Sequence, residues 1–125
     1  MTQIILIVEY DHETRVRYRE VLEHLHHNVV SVASGREGMD FLSKNTENIA
    51  VVLLCLRMPI MDGNEFLKQM EDDPKLRDIP TFMVAYEPNK VRKSTTVLMR
   101  KPIADDDLRR IINDILTQKR HGVEQ

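Results

Sequence analysis

The uninterrupted apolar run Ile49–Cys55, with the sequence IAVVLLC, constrains the fold more than any other stretch of the chain. It lacks the apolar–polar alternation of a strand that has one face in water. A run of this kind is typical of a strand in the middle of a parallel sheet that helices cover on both faces. The sequence therefore predicts a layered α/β fold with Ile49–Cys55 near its centre.

Strand-like and helical segments alternate on both sides of this run. The predicted strands are Ile4–Val8, 28–34, Ile49–Cys55, 79–86 and 95–99, and the predicted helices are 11–27, 34–44, 63–73 and 103–120. Asp11 is a predicted N-cap, and the spacing of Ser34 and Glu37 is that of a capping box. Alternation of this kind predicts a doubly wound parallel sheet, in which a functional site lies at the carboxyl ends of the strands.

The composition limits the classes of function. A chain of 125 residues predicts one domain, over residues 1–120, followed by a short tail at 121–125. The formal net charge of −2 offers no bulk attraction for nucleic acid. The single cysteine cannot form an internal disulfide, which fits a cytoplasmic location. The run Ile4–Val8 is too short for a signal peptide or a membrane span, so neither a membrane nor a nucleic-acid partner is expected.

The residues around the predicted strand ends carry a family signature. The segments ILIVEYD, AVVLLCLRMPIMDGNEFL, IPTFMVAY and KPI, in this order, resemble the receiver domain of bacterial two-component response regulators over almost the whole chain. The resemblance implies a (βα)5 fold of the flavodoxin-like, or CheY-like, type and a role in phosphorelay signal transduction. In that family, two acids after the first strand and an aspartate ending the third bind Mg²⁺. That aspartate accepts a phosphoryl group from a histidine kinase.

Two of the three carboxylate positions of that family hold other residues here. Glu9 keeps the first acid, but Tyr10 stands at the second and Cys55 stands at the phosphoacceptor aspartate. A thiolate and a phenol are poorer Mg²⁺ ligands than a carboxylate, so no cofactor is expected and Mg²⁺ binding should be weak or lost. Asp11 is one residue late and is expected to cap the first helix rather than to restore the site.

The resemblance also implies losses in the conformational switch. Ala85 stands where the family has a Thr or Ser at the end of the fourth strand, and Leu98 stands at the position of the switch aromatic on the fifth. Lys101 is kept, and Pro102 after it implies the family's cis Lys–Pro bond. The interval from Ala85 to Lys101 is shorter than in the family by roughly two helical turns. The fourth helix should therefore be shortened or irregular.

The vacated pocket is expected to be filled from within the chain. A salt bridge between Glu9 and Lys101 is predicted, with the ring of Tyr10 filling the remaining space. For Cys55, an inert core residue and a reactive thiolate both stay open, because Lys101 would lower the thiol pKa and Glu9 would raise it. Arg15, Arg17 and Arg19 on the first helix are expected to form a solvated face, with a docking surface for an acidic partner as the alternative.

These features favour a degenerate receiver, or pseudo-receiver, that is not an enzyme. It would act as a protein–protein interaction module that does not depend on phosphorylation, and its partner would be a histidine kinase or a downstream effector. The alternatives are a residual phosphotransfer protein and a thiol-redox sensor that works through Cys55. A soft-metal site formed by Glu9, His12 and Cys55 is a further alternative.

Overall fold

The apolar run Ile49–Cys55 forms β3, the middle strand of a five-stranded parallel sheet, and all of its residues are buried. The structure is a computed structural model that describes residues 3–25, 27–93 and 96–124, with side chains as far as residue 118. The other strands are β1 (Ile4–Val8), β2 (Asn28–Val32), β4 (Thr81–Ala85) and β5 (Val97–Arg100). Their order is β2-β1-β3-β4-β5, so the strand order reverses between β1 and β3.

Four α-helices cover the sheet in the described part of the chain. They are α1 (His12–Leu22), α2 (Gly35–Lys44), α3 (Gly63–Asp72) and α4 (Asp105–Glu124). Alternate strand residues enter two separate cores, one against α1 and α4 and the other against α2 and α3. This arrangement confirms the predicted doubly wound sheet.

The connection between β4 and β5 differs from the other crossovers. Its described residues contain a single 3₁₀ turn, Pro88–Lys90, where a (βα)5 fold has its fourth helix. The prediction of a shortened or irregular fourth helix is confirmed. Only 11 residues, 86–96, connect β4 to β5, whereas a crossover connection that contains a helix usually has about a dozen or more.

Several element ends differ from the sequence-based bounds. The helix expected over 11–27 ends at Leu22 and continues as a 3₁₀ turn, Glu23–Leu25; residue 26 lies outside the described residues. β2 ends before Ser34, because Ser34 caps α2. The last helix continues to Glu124, through most of the segment expected as a tail, and the domain boundary at residue 120 stays a prediction.

The predicted caps of the first two helices are confirmed, whereas the last helix begins at Asp105 rather than at residue 103. The side chain of Asp11 accepts the backbone N–H of Thr14 at 3.0 Å, and Ser34 Oγ accepts that of Glu37 at 3.2 Å.

Within the described residues, no helix combines the length and the apolar character needed to cross a bilayer.

Candidate functional site

The candidate site lies where the carboxyl ends of β1, β3, β4 and β5 meet. Glu9 follows β1, Ala85 ends β4 and Lys101 follows β5, and all three line a cavity of about 270 Å³. Tyr10 and Asp11, from the loop between β1 and α1, line the same cavity. The structure therefore brings together most of the residues expected at the site. Cys55 and Leu98 do not line this cavity.

A buried ion pair between Glu9 and Lys101 crosses the site. Lys101 Nζ lies 2.5 Å from Glu9 Oε1, and the two side chains are 9% and 3% exposed. The second carboxylate oxygen of Glu9 accepts the backbone N–H of Asp11 at 3.0 Å. Both oxygens of Glu9 are thus engaged within the chain, and the expected salt bridge is present.

Further contacts fix Lys101 in this position. Its backbone N–H donates to Ala85 O at 2.8 Å, and its Nζ lies 5.5 Å from the centre of the Tyr86 ring. The peptide bond between Lys101 and Pro102 is cis, as predicted. The contribution of Tyr86 was not anticipated from the sequence, although its position directly after the fourth strand was a signal that could have found it.

The expectation that the Tyr10 ring fills the pocket is wrong. The Tyr10 side chain is 56% exposed and forms part of the cavity wall. The Glu9–Lys101 pair already occupies the interior between the strand ends. An exposed position also suits a phenol, because burying a hydroxyl without a partner is costly.

Cys55 lies beneath the site as a buried thiol. It is 3% exposed, and its Sγ–H donates to Arg57 O at 3.7 Å. Burial raises the pKa of the thiol to about 12, and the nearby Glu9 carboxylate adds to the effect. Of the two roles left open by the sequence, this environment fits an inert core residue.

Asp11 acts as a helix cap, in agreement with the prediction. Its side chain accepts two hydrogen bonds from Thr14, from the backbone N–H at 3.0 Å and from Oγ1 at 2.7 Å. These bonds lower the pKa of the Asp11 carboxyl.

Ala85 is buried at the end of β4, and Leu98 is 37% exposed on the edge strand β5, paired with Met83.

Two arginines of the solvated face predicted on α1, Arg15 and Arg17, stay partly exposed and also hold the loops of the site. Arg15 Nη1 donates to Glu9 O at 2.9 Å and to Tyr10 O at 3.2 Å. Arg17 donates to Ile103 O and lies 3.0 Å from Asp105, at the start of α4. A guanidinium carries several donors in a fixed plane, so one side chain can bind two loop carbonyls at once.

Two more contacts across the site were missed because their partners are far apart in the sequence. Arg57 and Glu87 form an ion pair at 2.6 Å, and this hydrogen bond lowers the pKa of Glu87. The side chain of Asn64 at the start of α3 donates to Lys90 O at 2.9 Å and accepts from Arg92 N at 2.8 Å. The short β4–β5 connection is thereby attached to α3.

The described residues contain no group of three or more His, Cys, Asp or Glu side chains placed to hold a metal ion. The alternative of a soft-metal site from Glu9, His12 and Cys55 is therefore wrong. The ring of His12 instead contacts Arg15, with Nδ1 2.9 Å from the guanidinium.

Comparison with known proteins agrees with this architecture. A chemotaxis protein CheY homolog of Campylobacter jejuni is 29% identical over 119 residues, which cover 90% of this chain and 91% of that protein. The phosphodiesterase regA of Dictyostelium discoideum is 25% identical over 119 residues, but the chain spans only 15% of its length. It likewise spans 20% of the length of the Arabidopsis thaliana response regulator ARR21.

Solved structures show the same fold. A response regulator receiver domain protein from Clostridium thermocellum superposes with a TM-score of 0.82 at 20% identity, covering 94% of this chain and 97% of that one. A CheY-like receiver domain protein from Methanospirillum hungatei gives a TM-score of 0.79 at 22% identity, covering 95% and 98%. The family model described as response regulator receiver domain matches residues 5–113. This chain therefore belongs to the response regulator receiver domain family.

Proposed function

We propose that this chain is a degenerate receiver domain that acts in two-component or phosphorelay signalling by binding other proteins, without accepting a phosphoryl group and without catalysing a reaction. The observation that carries the proposal is the buried Glu9–Lys101 ion pair at 2.5 Å, formed where receivers bind metal and phosphate. The partner would be a histidine kinase or a downstream effector.

The residue at the acceptor position supports this proposal. An acceptor needs a nucleophilic atom that is ionised and accessible to the phosphodonor. The Cys55 thiol is buried, and with a pKa of about 12 its ionised fraction at pH 7 is on the order of one in 10⁵. The same property argues against the thiol-redox sensor, because oxidation and thiol exchange also start from the thiolate.

The donor atoms at the site do not fit Mg²⁺. This ion requires near-octahedral coordination by oxygen ligands, and carboxylates are the usual protein donors. Glu9 has both oxygens engaged by Lys101 and by the Asp11 N–H. Tyr10 offers an exposed phenol in place of a carboxylate, and Cys55 offers a buried thiol.

The positive charge of Lys101 is also committed within the chain. In phosphoryl transfer, a fixed cation stabilises the charge that develops on the phosphoryl oxygens. Here the ammonium group is neutralised by a buried carboxylate, and an incoming phosphoryl group would have to break that pair. Separating a buried pair is costly, which supports loss of the phosphorylated state.

A binding role is supported by the fixed loops around the site. Arg15 donates hydrogen bonds to the carbonyls of Glu9 and Tyr10. The Asn64 side chain holds the β4–β5 connection, because its amide nitrogen donates to Lys90 O and its amide oxygen accepts from Arg92 N. Binding to a surface that is already ordered avoids part of the entropy cost of association.

The proposal is tested by titrating the protein with Mg²⁺ while amide NMR spectra are recorded. We expect no localised shifts at Glu9, Tyr10 or Cys55. The control is the double variant Tyr10→Asp/Cys55→Asp, which restores two carboxylates and should show localised, saturable shifts at millimolar Mg²⁺. Saturable shifts of the unmodified protein at the same Mg²⁺ concentrations would overturn the proposal.

A further inference from the structure

Another cavity, with a volume of about 480 Å³, lies beside the candidate site. The segment between β3 and α3 supplies most of its lining, and the rest comes from the β1–α1 loop, the start of α3 and the β4–β5 connection. We name it the loop cavity and define it by these residues of its lining: Tyr10, Leu56, Arg57, Met58, Pro59 and Lys90. Its volume lies within the range of about 300–1,000 Å³ that is usual for small-molecule sites in proteins.

The loop cavity is separate from the space that contains the buried ion pair. Glu9 and Lys101 line the cavity of about 270 Å³ and are not among the residues that line the loop cavity. Tyr10, Leu56 and Arg57 line both, so the two spaces adjoin. A molecule in the loop cavity would therefore touch residues of the candidate site without having to break the ion pair.

The apolar part of this lining suits a flat ring. Leu56 and Met58 are buried, with only a small part of each side chain accessible. Tyr10 and Pro59 are exposed, so their rings supply most of the apolar surface that a ligand can reach. Aromatic groups pack on a tyrosine ring in offset-stacked or edge-to-face arrangements. The lining therefore favours a planar aromatic molecule.

The polar part of the lining has hydrogen-bond donors to spare. Arg57 and Lys90 both pair with the carboxylate of Glu87, at 2.6 and 3.2 Å, and Glu87 is not part of the lining. A guanidinium has five N–H donors and an ammonium group has three, so each cation keeps donors beyond these contacts. A guanidinium also binds a carboxylate through two parallel hydrogen bonds. The cavity thus offers a place for a carboxylate next to Arg57.

Asp62 limits the charge that a ligand can carry. It also lines the loop cavity, and its Oδ1 accepts the backbone N–H of Glu65 at 3.0 Å. Because Glu87 and Asp62 balance the charges of Arg57 and Lys90, a second negative charge on the ligand would meet no unmatched cation. A carboxylate, which carries one charge and matches the shape of the guanidinium, is therefore favoured over a phosphate ester.

The backbone beside the cavity is strained. The N–H of Met61 donates to Pro59 O at 2.7 Å, which closes a γ-turn around Ile60, whose φ is 70°. A positive φ is unfavourable for a β-branched residue, and the γ-turn of this hand is rare. The Ile60 side chain is fully exposed, so burial does not offset the cost. Strained backbone of this kind concentrates at functional sites, which agrees with a ligand site at this loop.

We propose that the loop cavity binds a small planar aromatic carboxylate. The aromatic ring packs against the rings of Tyr10 and Pro59, and the carboxylate accepts hydrogen bonds from Arg57 and Lys90. This site goes beyond the proposed protein-binding role and does not depend on it.

Four small probes test the proposal by NMR titration of the full chain. Cinnamate has a planar ring and one carboxylate. We expect it to give saturable shifts at the amides of Tyr10, Met58 and Asn64, with a dissociation constant on the order of 1 mM or lower. Cinnamamide keeps the shape without the charge, and cyclohexanepropionate keeps the charge without the planar ring, so each should bind about tenfold more weakly. Phenyl phosphate, which carries a second negative charge, should also bind more weakly than cinnamate.

Arg57→Gln should weaken cinnamate binding about tenfold, because it removes the guanidinium and keeps a polar side chain. Arg110→Gln is the matched control, because Arg110 also forms an exposed ion pair, with Asp107 at 3.2 Å, but lies on α4. It should bind cinnamate like the unmodified chain. Tyr10→Ala should weaken cinnamate binding and remove its advantage over cyclohexanepropionate. All three substituted side chains are exposed, so the variants should fold, which the remaining amide signals verify.

Any one of these results would overturn the proposal: no saturable shifts at the loop cavity, shifts confined to other surfaces, cinnamamide or phenyl phosphate binding as tightly as cinnamate, or unchanged cinnamate binding by Arg57→Gln. Failure here is distinguishable from failure of the proposed function. Mg²⁺ binding or phosphoryl uptake would overturn that earlier proposal and leave the cinnamate result unchanged, whereas absence of cinnamate binding leaves the loss of phosphoryl acceptance intact.

Discussion

At the scale of single residues, the ion pair of Glu9 and Lys101 determines what the site can do. Both charges are buried, so each depends on the other to offset its lost hydration. The pairing could be predicted from the sequence, because both residues follow strand ends that meet at one edge of a parallel sheet. The exposed position of Tyr10 could not be predicted, because it depends on which side chains occupy the space between the strand ends.

Removing one partner of this pair should be far more damaging than removing both. Lys101→Met leaves the Glu9 carboxylate buried and unpaired, and we expect a loss of about 3 kcal/mol in the free energy of unfolding. The double variant Glu9→Gln/Lys101→Met should recover most of it. Lys68→Met, which breaks the exposed pair with Asp72, is the control and should cost less than about 1 kcal/mol. Urea denaturation measures all three, and equal losses for the single and double variants would contradict the assignment.

The buried Cys55 thiol should contribute to loss of stability at alkaline pH. Its pKa is raised from 9.0 to about 12 in the folded chain, so the unfolded chain releases this proton first as pH rises. The contribution is complete below pH 9.0 and is lost as pH rises towards 12. Above pH 9.0, the urea midpoint should therefore fall less steeply with pH for Cys55→Ser than for the unmodified chain. Part of the slope should remain, because the pKa of Tyr18 is also raised. Parallel slopes would show that the thiol does not titrate in this way.

At the scale of elements, uninterrupted apolar runs were the most reliable signals. The bounds of β1 and β3 agree with the sequence-based ones, because both strands are buried on both faces. The bounds of β5 shift to Val97–Arg100, since an edge strand with exposed residues carries a weak pattern. The attachment of the β4–β5 connection by Asn64 was not predictable, because it joins residues far apart in the chain and depends on the tertiary fold.

Gly63 should tolerate no side chain at the start of α3. A Cβ atom there would lie 2.5 Å from Cys55 O and 3.0 Å from Leu56 Cα, both in the backbone. Gly63→Ala should therefore lower the free energy of unfolding by about 2 kcal/mol or more. Gly35→Ala is the control, because the three atoms nearest its Cβ would all belong to the Met61 side chain, and it should cost less. Thermal unfolding compares the two, and a larger loss for Gly35→Ala would contradict the expected clash.

Asn64→Ala should release the β4–β5 connection without affecting the rest of the sheet. The variant loses the bonds to Lys90 O and Arg92 N, so we expect faster hydrogen exchange at the Arg92 amide. The free energy of unfolding should fall by about 1–2 kcal/mol. Asn113→Ala on the exposed side of α4 is the control and should leave that exchange rate unchanged. Unchanged exchange in Asn64→Ala would mean that other contacts hold the connection.

At the scale of the whole molecule, fold and chemistry are specified by different residues. The two cores, one on each side of the sheet, are intact and keep the receiver architecture. The proposed loss of phosphoryl acceptance rests on a few positions around the strand ends, and the described part of the β4–β5 crossover holds a single 3₁₀ turn. Cys55 and Ala85 are small buried members of one of these cores, so the chemistry at the strand ends can differ while the fold is retained.

Exposure of the chain to Mg²⁺ and a small phosphodonor, followed by intact mass measurement, tests the loss of phosphoryl acceptance most directly. We expect no added phosphoryl group on the unmodified chain. We expect none on Cys55→Asp, because Tyr10 still withholds a metal ligand and Lys101 stays paired with Glu9. A stoichiometric phosphoryl group on the unmodified chain would contradict the central claim.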